Sequence, residues 1–155
     1  MAAIPVPCTA RCTTWAPCYA PAARPRRKGL PDIAAGRLRI QSMAVTEPTT
    51  GSDTTQTKTS AVNRDGRHVV NGQKVWISRV QHSDLMILLA RNTSLADVKK
   101  KSEGMSLFIV DLREAIDRGL TVRPIANMVN HETCHLFFED LEIPEENLIG
   151  EEGLG

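Results

Sequence analysis

The chain has 155 residues, 41% hydrophobic and 24% charged, which suits one packed domain and excludes wholesale disorder. Nineteen Lys and Arg against 18 Asp and Glu leave a net charge of +1, too balanced for a nucleic-acid binder driven by phosphate neutralisation. The longest uninterrupted apolar run, Leu85–Ala90, is far shorter than the ~20 residues a helix needs to cross a bilayer, so no membrane span is expected.

The two ends of the chain obey different rules. Residues 1–40 carry seven basic side chains and one acid, Asp32, while 12 basic and 17 acidic residues follow. Six of the nine prolines and three of the four cysteines also fall in that first segment. Proline lacks a backbone donor and fixes φ, so residues 1–28 are expected to build no regular element, and residues 1–29 read as an irregular Pro/Arg-rich extension. The prolines would interrupt the amphipathic helix of a mitochondrial transit peptide, and no compact apolar stretch suits a secretory signal. Cys8, Cys12 and Cys18 lack the paired C-x-x-C spacing of a zinc site.

From residue 30 onward, short apolar or alternating runs separated by turn residues predict strands. In chain order they are Arg39–Thr46, Thr57–Asn63, His68–Val70, Gln73–Arg79, Asp84–Arg91, Met105–Asp111, Leu120–Ile125 and Thr133–Glu139. Asn71-Gly72 predicts a two-residue hairpin between the third and fourth strands, and Asp65-Gly66 predicts another turn. Leu85–Ala90 and Leu107–Val110 are apolar on both faces, as central strands are. Leu95–Lys101 is polar and reads as an exposed loop or short helix. Eight short strands with close turns predict an all-β fold, an antiparallel barrel or sandwich.

Three segments could carry chemistry. His131-Glu132-Thr133-Cys134-His135 matches the H-E-x-x-H zinc signature, which requires a helix to bring both imidazoles to one metal. The alternating aromatic run that follows predicts a strand, where residues four apart stand about 13 Å from one another, too far to chelate one ion. The match is therefore read as chance. Thr46–Asp53 is a strand end followed by a hydroxyl-rich turn whose amides and short donors suit a phosphate, a ribose or a heterocycle edge, although an ordinary loop would look the same. In Lys74–Ser78, alternation places Val75 and Ile77 on one face and Lys74, Trp76 and Ser78 on the other. The second set offers an aromatic plane beside a hydroxyl, which fits a flat heteroaromatic ligand; a tryptophan packed in the core is the alternative.

Together the segments resemble the acyl-CoA dehydrogenase family. Met43-Ala44-Val45-Thr46-Glu47-Pro48 with Gly51-Ser52-Asp53, then Asn71–Ser78, Ser83-Asp84-Leu85, Gly104–Phe108, Asn130–Thr133 and Ile143–Gly153 follow the family's order. The likeness runs from about Leu30 to the end, so residues 30–155 are expected to form the family's middle β-domain, truncated at both ends relative to it. Residues 1–29 match nothing there, which an alternative start or a shifted frame upstream of Leu30 would explain.

The resemblance implies an FAD-dependent enzyme that performs α,β-dehydrogenation of acyl-CoA thioesters, built as a helical domain, a middle β-domain and a C-terminal helical bundle. It implies that Met43, Val45, Thr46, Ser52, Trp76, Ile77 and Ser78 hold the cofactor. Val45 and Thr46 would bond the pyrimidine edge, Trp76 would lie against the ring and Ser78 would reach N5. Ser52 would also touch the acyl-CoA substrate. Thr50 and Ser78 depart from the commonest family residues but keep a small or hydroxyl-bearing side chain. The family's catalytic glutamate lies in its C-terminal domain, and no residue here matches it; Glu47 belongs to the β-domain signature and is not the base. The resemblance further implies an electron-transfer flavoprotein or similar acceptor as partner, homo-oligomeric intact relatives, and a cytoplasmic or mitochondrial-matrix location. A non-catalytic flavin- or CoA-binding module is the alternative function.

Overall fold

The computed structural model describes residues 25–128 and 132–155. A helix, α1 (Pro25–Ala34), precedes β1 (Ile40–Ala44), β2 (Ser60–Arg64), β3 (Arg67–Ser78), β4 (Leu85–Arg91) and β5 (Met105–Asp111). The one-turn helix α2 (Leu112–Ala115) leads to β6 (Leu120–Pro124), β7 (Thr133–Pro144) and the two-residue β8 (Leu148–Ile149). Cys8, Cys12, Cys18 and His131 lie outside the described residues. His135 sits on strand β7, so its own segment is not the helix that the zinc signature requires.

The all-β expectation holds. The strands form one sheet in the order β6-β7-β3-β2-β4-β5-β8, with β1 beside β4, and the path ends at β6 and β8 without closing. Most pairs are antiparallel, but β1 runs parallel to β4, and Ser60 of β2 meets Arg91 of the same strand in parallel. Both therefore occupy one edge of β4, one after the other, and residues 45–59 between them leave the sheet as a long loop. Strand β4 is flanked on its other edge by β5, so it is central, as its two apolar faces require.

The sheet curls so that its halves face each other. His68 of β3 stacks on Phe108 of β5, ring centroids 4.8 Å apart, although β3 and β5 are not hydrogen-bonded neighbours. Between the halves lie Val70, Met86, Leu88, Phe108, Leu120, Leu136 and Ile143, none more than 2% exposed. Burying such side chains contributes about 1.5–3 kcal/mol each.

Three local expectations need correction. Asn71 and Gly72 make no hairpin: they lie inside β3, and the turn is Asp65-Gly66 alone. Gly72 is used for close approach, since at φ 146° a Cβ there would lie 2.7 Å from the Cα of Thr59. Asn71 exchanges hydrogen bonds with Asp140, whose amide and carboxylate it meets at 2.9 Å across a bulge in β7. Secondly, α1 begins within the segment expected to be irregular. Pro25 stands at its first position, where no backbone donor is needed, and Gly36 at φ 71° follows its end. Thirdly, β3 and β7 run 12 residues each, longer than the predicted pieces, because bulges interrupt their alternation without ending the ladder.

Candidate functional site

Strand β3 holds one extra residue opposite β7: Lys74 pairs with Leu136 and Ile77 with Cys134. The bulge changes which side chains point inward. Lys74, Val75 and Ile77 are buried, whereas Trp76 is 59% exposed. Trp76 has φ 61°, a left-handed conformation that costs a side-chain-bearing residue about 1–2 kcal/mol. The sequence expectation that Lys74 shares a face with Trp76 and Ser78 is therefore wrong. The extra residue breaks the period of two after the lysine, which keeps the inward face of His68 and Val70. Trp76 and Ser78 are both exposed, as expected.

The end of β1 and the start of the following loop run alongside this bulge. The Ser42 hydroxyl donates to the Ser78 carbonyl at 3.0 Å, and the Val75 amide donates to the Thr46 carbonyl at 2.9 Å. Between these two ties lie Met43, 56% exposed, on one segment and Trp76 on the other. Val45 and Thr46 are half-buried. Thus five of the seven residues expected at a cofactor site, Met43, Val45, Thr46, Trp76 and Ser78, are brought together. Ile77 lies directly beneath, but its side chain is in the core, so only its backbone faces the site. Ser52 is exposed beyond the Glu47–Thr50 turn and has no hydrogen bond to β3 among the described residues.

Beneath the exposed residues is a buried ion pair. Lys74 Nζ donates to Glu47 Oε1 and to the Val45 carbonyl, each at 2.9 Å. Glu47 also accepts from the Lys58 amide at 2.8 Å, the Thr59 amide at 3.0 Å and the Thr59 hydroxyl at 2.7 Å. Burial pushes the Glu47 carboxyl up, but the Thr59 hydroxyl, the Lys58 amide, the Lys74 ammonium and the Thr59 amide together outweigh it and hold it below its ordinary value. Burial pulls the Lys74 ammonium below its ordinary value, against the opposing pull of Glu47. Glu47 is thus a fixed, enclosed carboxylate. It cannot serve as a base toward a ligand at the surface.

The far limb of the same loop hangs on Arg91. Its guanidinium, buried on β4, donates to the carbonyls of Thr55, Thr57, Lys101 and Glu103 at 2.7–3.2 Å. Asp53 caps the 3-10 turn Thr54–Gln56 by accepting from the Thr55 amide and hydroxyl.

Residues 42–141 match the family model described as "Acyl-CoA dehydrogenase, middle domain". The chain belongs to the acyl-CoA dehydrogenase family. It is 35% identical over 130 residues to an acyl-CoA dehydrogenase of Mycobacterium tuberculosis, covering 84% of this chain and 32% of that protein. It is 37% identical over 133 residues to cyclohex-1-ene-1-carbonyl-CoA dehydrogenase of Syntrophus aciditrophicus, covering 84% and 30%. The crystal structure of acyl-CoA dehydrogenase from Geobacillus kaustophilus superposes with a TM-score of 0.75 at 35% identity, over 84% of this chain and 33% of that one. The chain therefore spans about a third of the length of these relatives.

Within this acyl-CoA dehydrogenase domain, the residues that sequence reasoning missed are Lys74 and Arg91. Neither sits in a recognisable motif for burial. A lysine at the second position after Asn-Gly reads as a solvated strand residue, and Arg91 reads as the polar end of an apolar run. The one available signal is phase: on an unbroken strand Lys74 falls on the same face as His68 and Val70, which are buried, and the bulge shifts only the residues after it.

Proposed function

We propose that this chain is the flavin-contacting middle domain of an FAD-dependent acyl-CoA dehydrogenase that carries out α,β-dehydrogenation of acyl-CoA thioesters. The observation that supports it is Trp76, lifted into solvent by a left-handed bulge and set beside the Met43–Thr46 run by hydrogen bonds at both ends. Strain of this kind persists where surrounding structure over-determines it, and it concentrates at ligand sites. The exposed indole, met edge-on by His135 at 6.4 Å between ring centroids, offers a large flat apolar face to a heteroaromatic ring.

The residues present suit an isoalloxazine. Trp76 offers a flat apolar face, Ser78 a hydroxyl donor, and Val45 and Thr46 backbone groups and a hydroxyl for the polar edge of the ring. When bound, FAD would supply the two-electron acceptor for the oxidation. Trp76 and Met43 would exclude water from one side of the ring, and the backbone of Ile77 would support it from the core side. Ser52, on the adjoining turn, would form part of one wall of the acyl-CoA cleft. Glu47, the carboxylate of the β-domain signature, is enclosed and does not serve as base for the α-proton. An electron-transfer flavoprotein or similar acceptor, and assembly into homo-oligomers, follow from the same reading of the intact enzyme.

The test is a titration of the purified chain with FAD, followed by flavin absorbance and by quenching of tryptophan fluorescence. Saturable uptake is expected, weak because a lone β-domain encloses only part of the cofactor, and Trp76→Ala weakens it at least about tenfold. No turnover of an acyl-CoA with an artificial electron acceptor is expected. Absence of uptake, or uptake indifferent to Trp76→Ala, would overturn the proposal.

A further inference from the structure

The charged side chains buried in the described residues are Glu47, Lys74 and Arg91, and all three act on the loop between β1 and β2. Taking an ion pair out of water is costly, and replacing one by apolar residues of similar volume is often neutral or stabilising. Stability alone therefore does not explain why Glu47 and Lys74 sit here. Their position does. Lys74, Val75 and Trp76 are consecutive. Lys74 reaches the Val45 carbonyl and Glu47, Val75 reaches the Thr46 carbonyl, and Trp76 stands outward on the same bulge.

We infer that Lys74 is a positioning residue for the ring site: held by Glu47, its ammonium fixes the Val45 carbonyl, next to the Thr46 carbonyl that the Val75 amide holds, and so sets the spacing between the polar edge and the aromatic face. The inference rests on the flavin reading given above. It deepens it by assigning site geometry to a side chain that touches no ligand. Glu47 is the second half of the clamp, because its three further donors, from Lys58 and Thr59, carry the return limb of the loop. Arg91 secures the far limb, at Thr55 and Thr57, and reaches neither Val45 nor Thr46 among the described residues.

Three variants of the full chain separate positioning from folding. Lys74→Met leaves Glu47 buried with one donor fewer and lowers the urea midpoint. Lys74→Met combined with Glu47→Gln removes both charges and restores much of that midpoint, while the tie to Val45 stays broken. Arg91→Leu destabilises the same loop from its distal limb. The inference expects the double variant to lose at least about tenfold in FAD affinity despite its recovered midpoint. Its Trp76 emission shifts, and its Val75 amide exchanges faster than in the wild type. Arg91→Leu, measured where it is folded, keeps wild-type affinity and Val75 protection.

Recovery of FAD affinity together with stability in the double variant overturns the inference, as does loss of affinity in Arg91→Leu equal to that in the double variant. The Val75 amide reports without flavin. If its protection is unchanged in the double variant, the inference fails whatever the titration gives. If the wild type takes up no FAD while the double variant loses Val75 protection, the flavin reading fails and the clamp stands.

Discussion

Gly72 shows how one missing side chain sets the whole candidate site. With φ at 146°, it lets β3 pass Thr59 so closely that a Cβ would meet the Thr59 Cα and hydroxyl at 2.7 Å. Thr59 in turn supplies two of the four donors on Glu47. Gly72→Ala is therefore expected to lower stability by about 2–3 kcal/mol, combining backbone strain with displacement of a buried hydrogen-bonded residue. Gly66→Ala makes the comparison. That glycine has φ 80°, but its nearest neighbour stands 3.8 Å away, so only the left-handed strain of about 1 kcal/mol remains. Urea midpoints for the two variants decide it, and equal losses would show that the approach to Thr59 is not what matters. Asn71-Gly72 is legible in the sequence as a special place, because only glycine tolerates that backbone. What makes it special is a strand alongside, and a neighbour brought in by tertiary pairing leaves no mark in a local pattern.

At the scale of the strand, apolar patterning reads well where both faces are buried and badly where a bulge shifts the phase. Leu85–Arg91 and Met105–Asp111 are found with nearly their expected limits, since continuous apolar runs admit no error of face. Strand β3 is read in two halves because Asn71-Gly72 mimics a hairpin turn, and with its lysine on the wrong side because the period of two fails between Lys74 and Ile77. The aromatic and hydroxyl faces of the candidate site survive that error: Trp76, within the bulge, and Ser78, just past it, both remain outward. The same contrast predicts where substitution hurts. Phe108 on β5 is fully buried against His68 of the facing half, so Phe108→Ala should remove about 3–5 kcal/mol and broaden the unfolding transition. A loss under 1 kcal/mol in a denaturant titration would mean that the two halves of the sheet do not pack through this ring.

For the molecule as a whole, the buried pair makes stability depend on pH in a direction that can be worked out. Glu47 and Lys74 both hold protons less tightly in the folded chain than their ordinary values. Wherever that is so, the unfolded state binds more protons and stability rises with pH. For Glu47, the contribution is complete above the unfolded carboxylate value of about 4.3 and is lost as the pH falls through the lower folded value. For Lys74 the sign is the same, but the window lies on the alkaline side, below the unfolded ammonium value of about 10.4. Burial there opposes the charge, and deprotonation relieves it. Glu47→Gln separates the two windows. At neutral pH it leaves the Lys74 ammonium buried without its counter-ion, a loss of about 3 kcal/mol or more. As the pH falls from the unfolded carboxylate value of about 4.3 through the lower folded value, the wild-type protein loses that contribution and the gap between the two proteins should narrow. Urea midpoints measured from neutral to acid pH follow that gap directly. A difference that stays constant to the acid end would place the carboxylate's stabilisation elsewhere than in its charge.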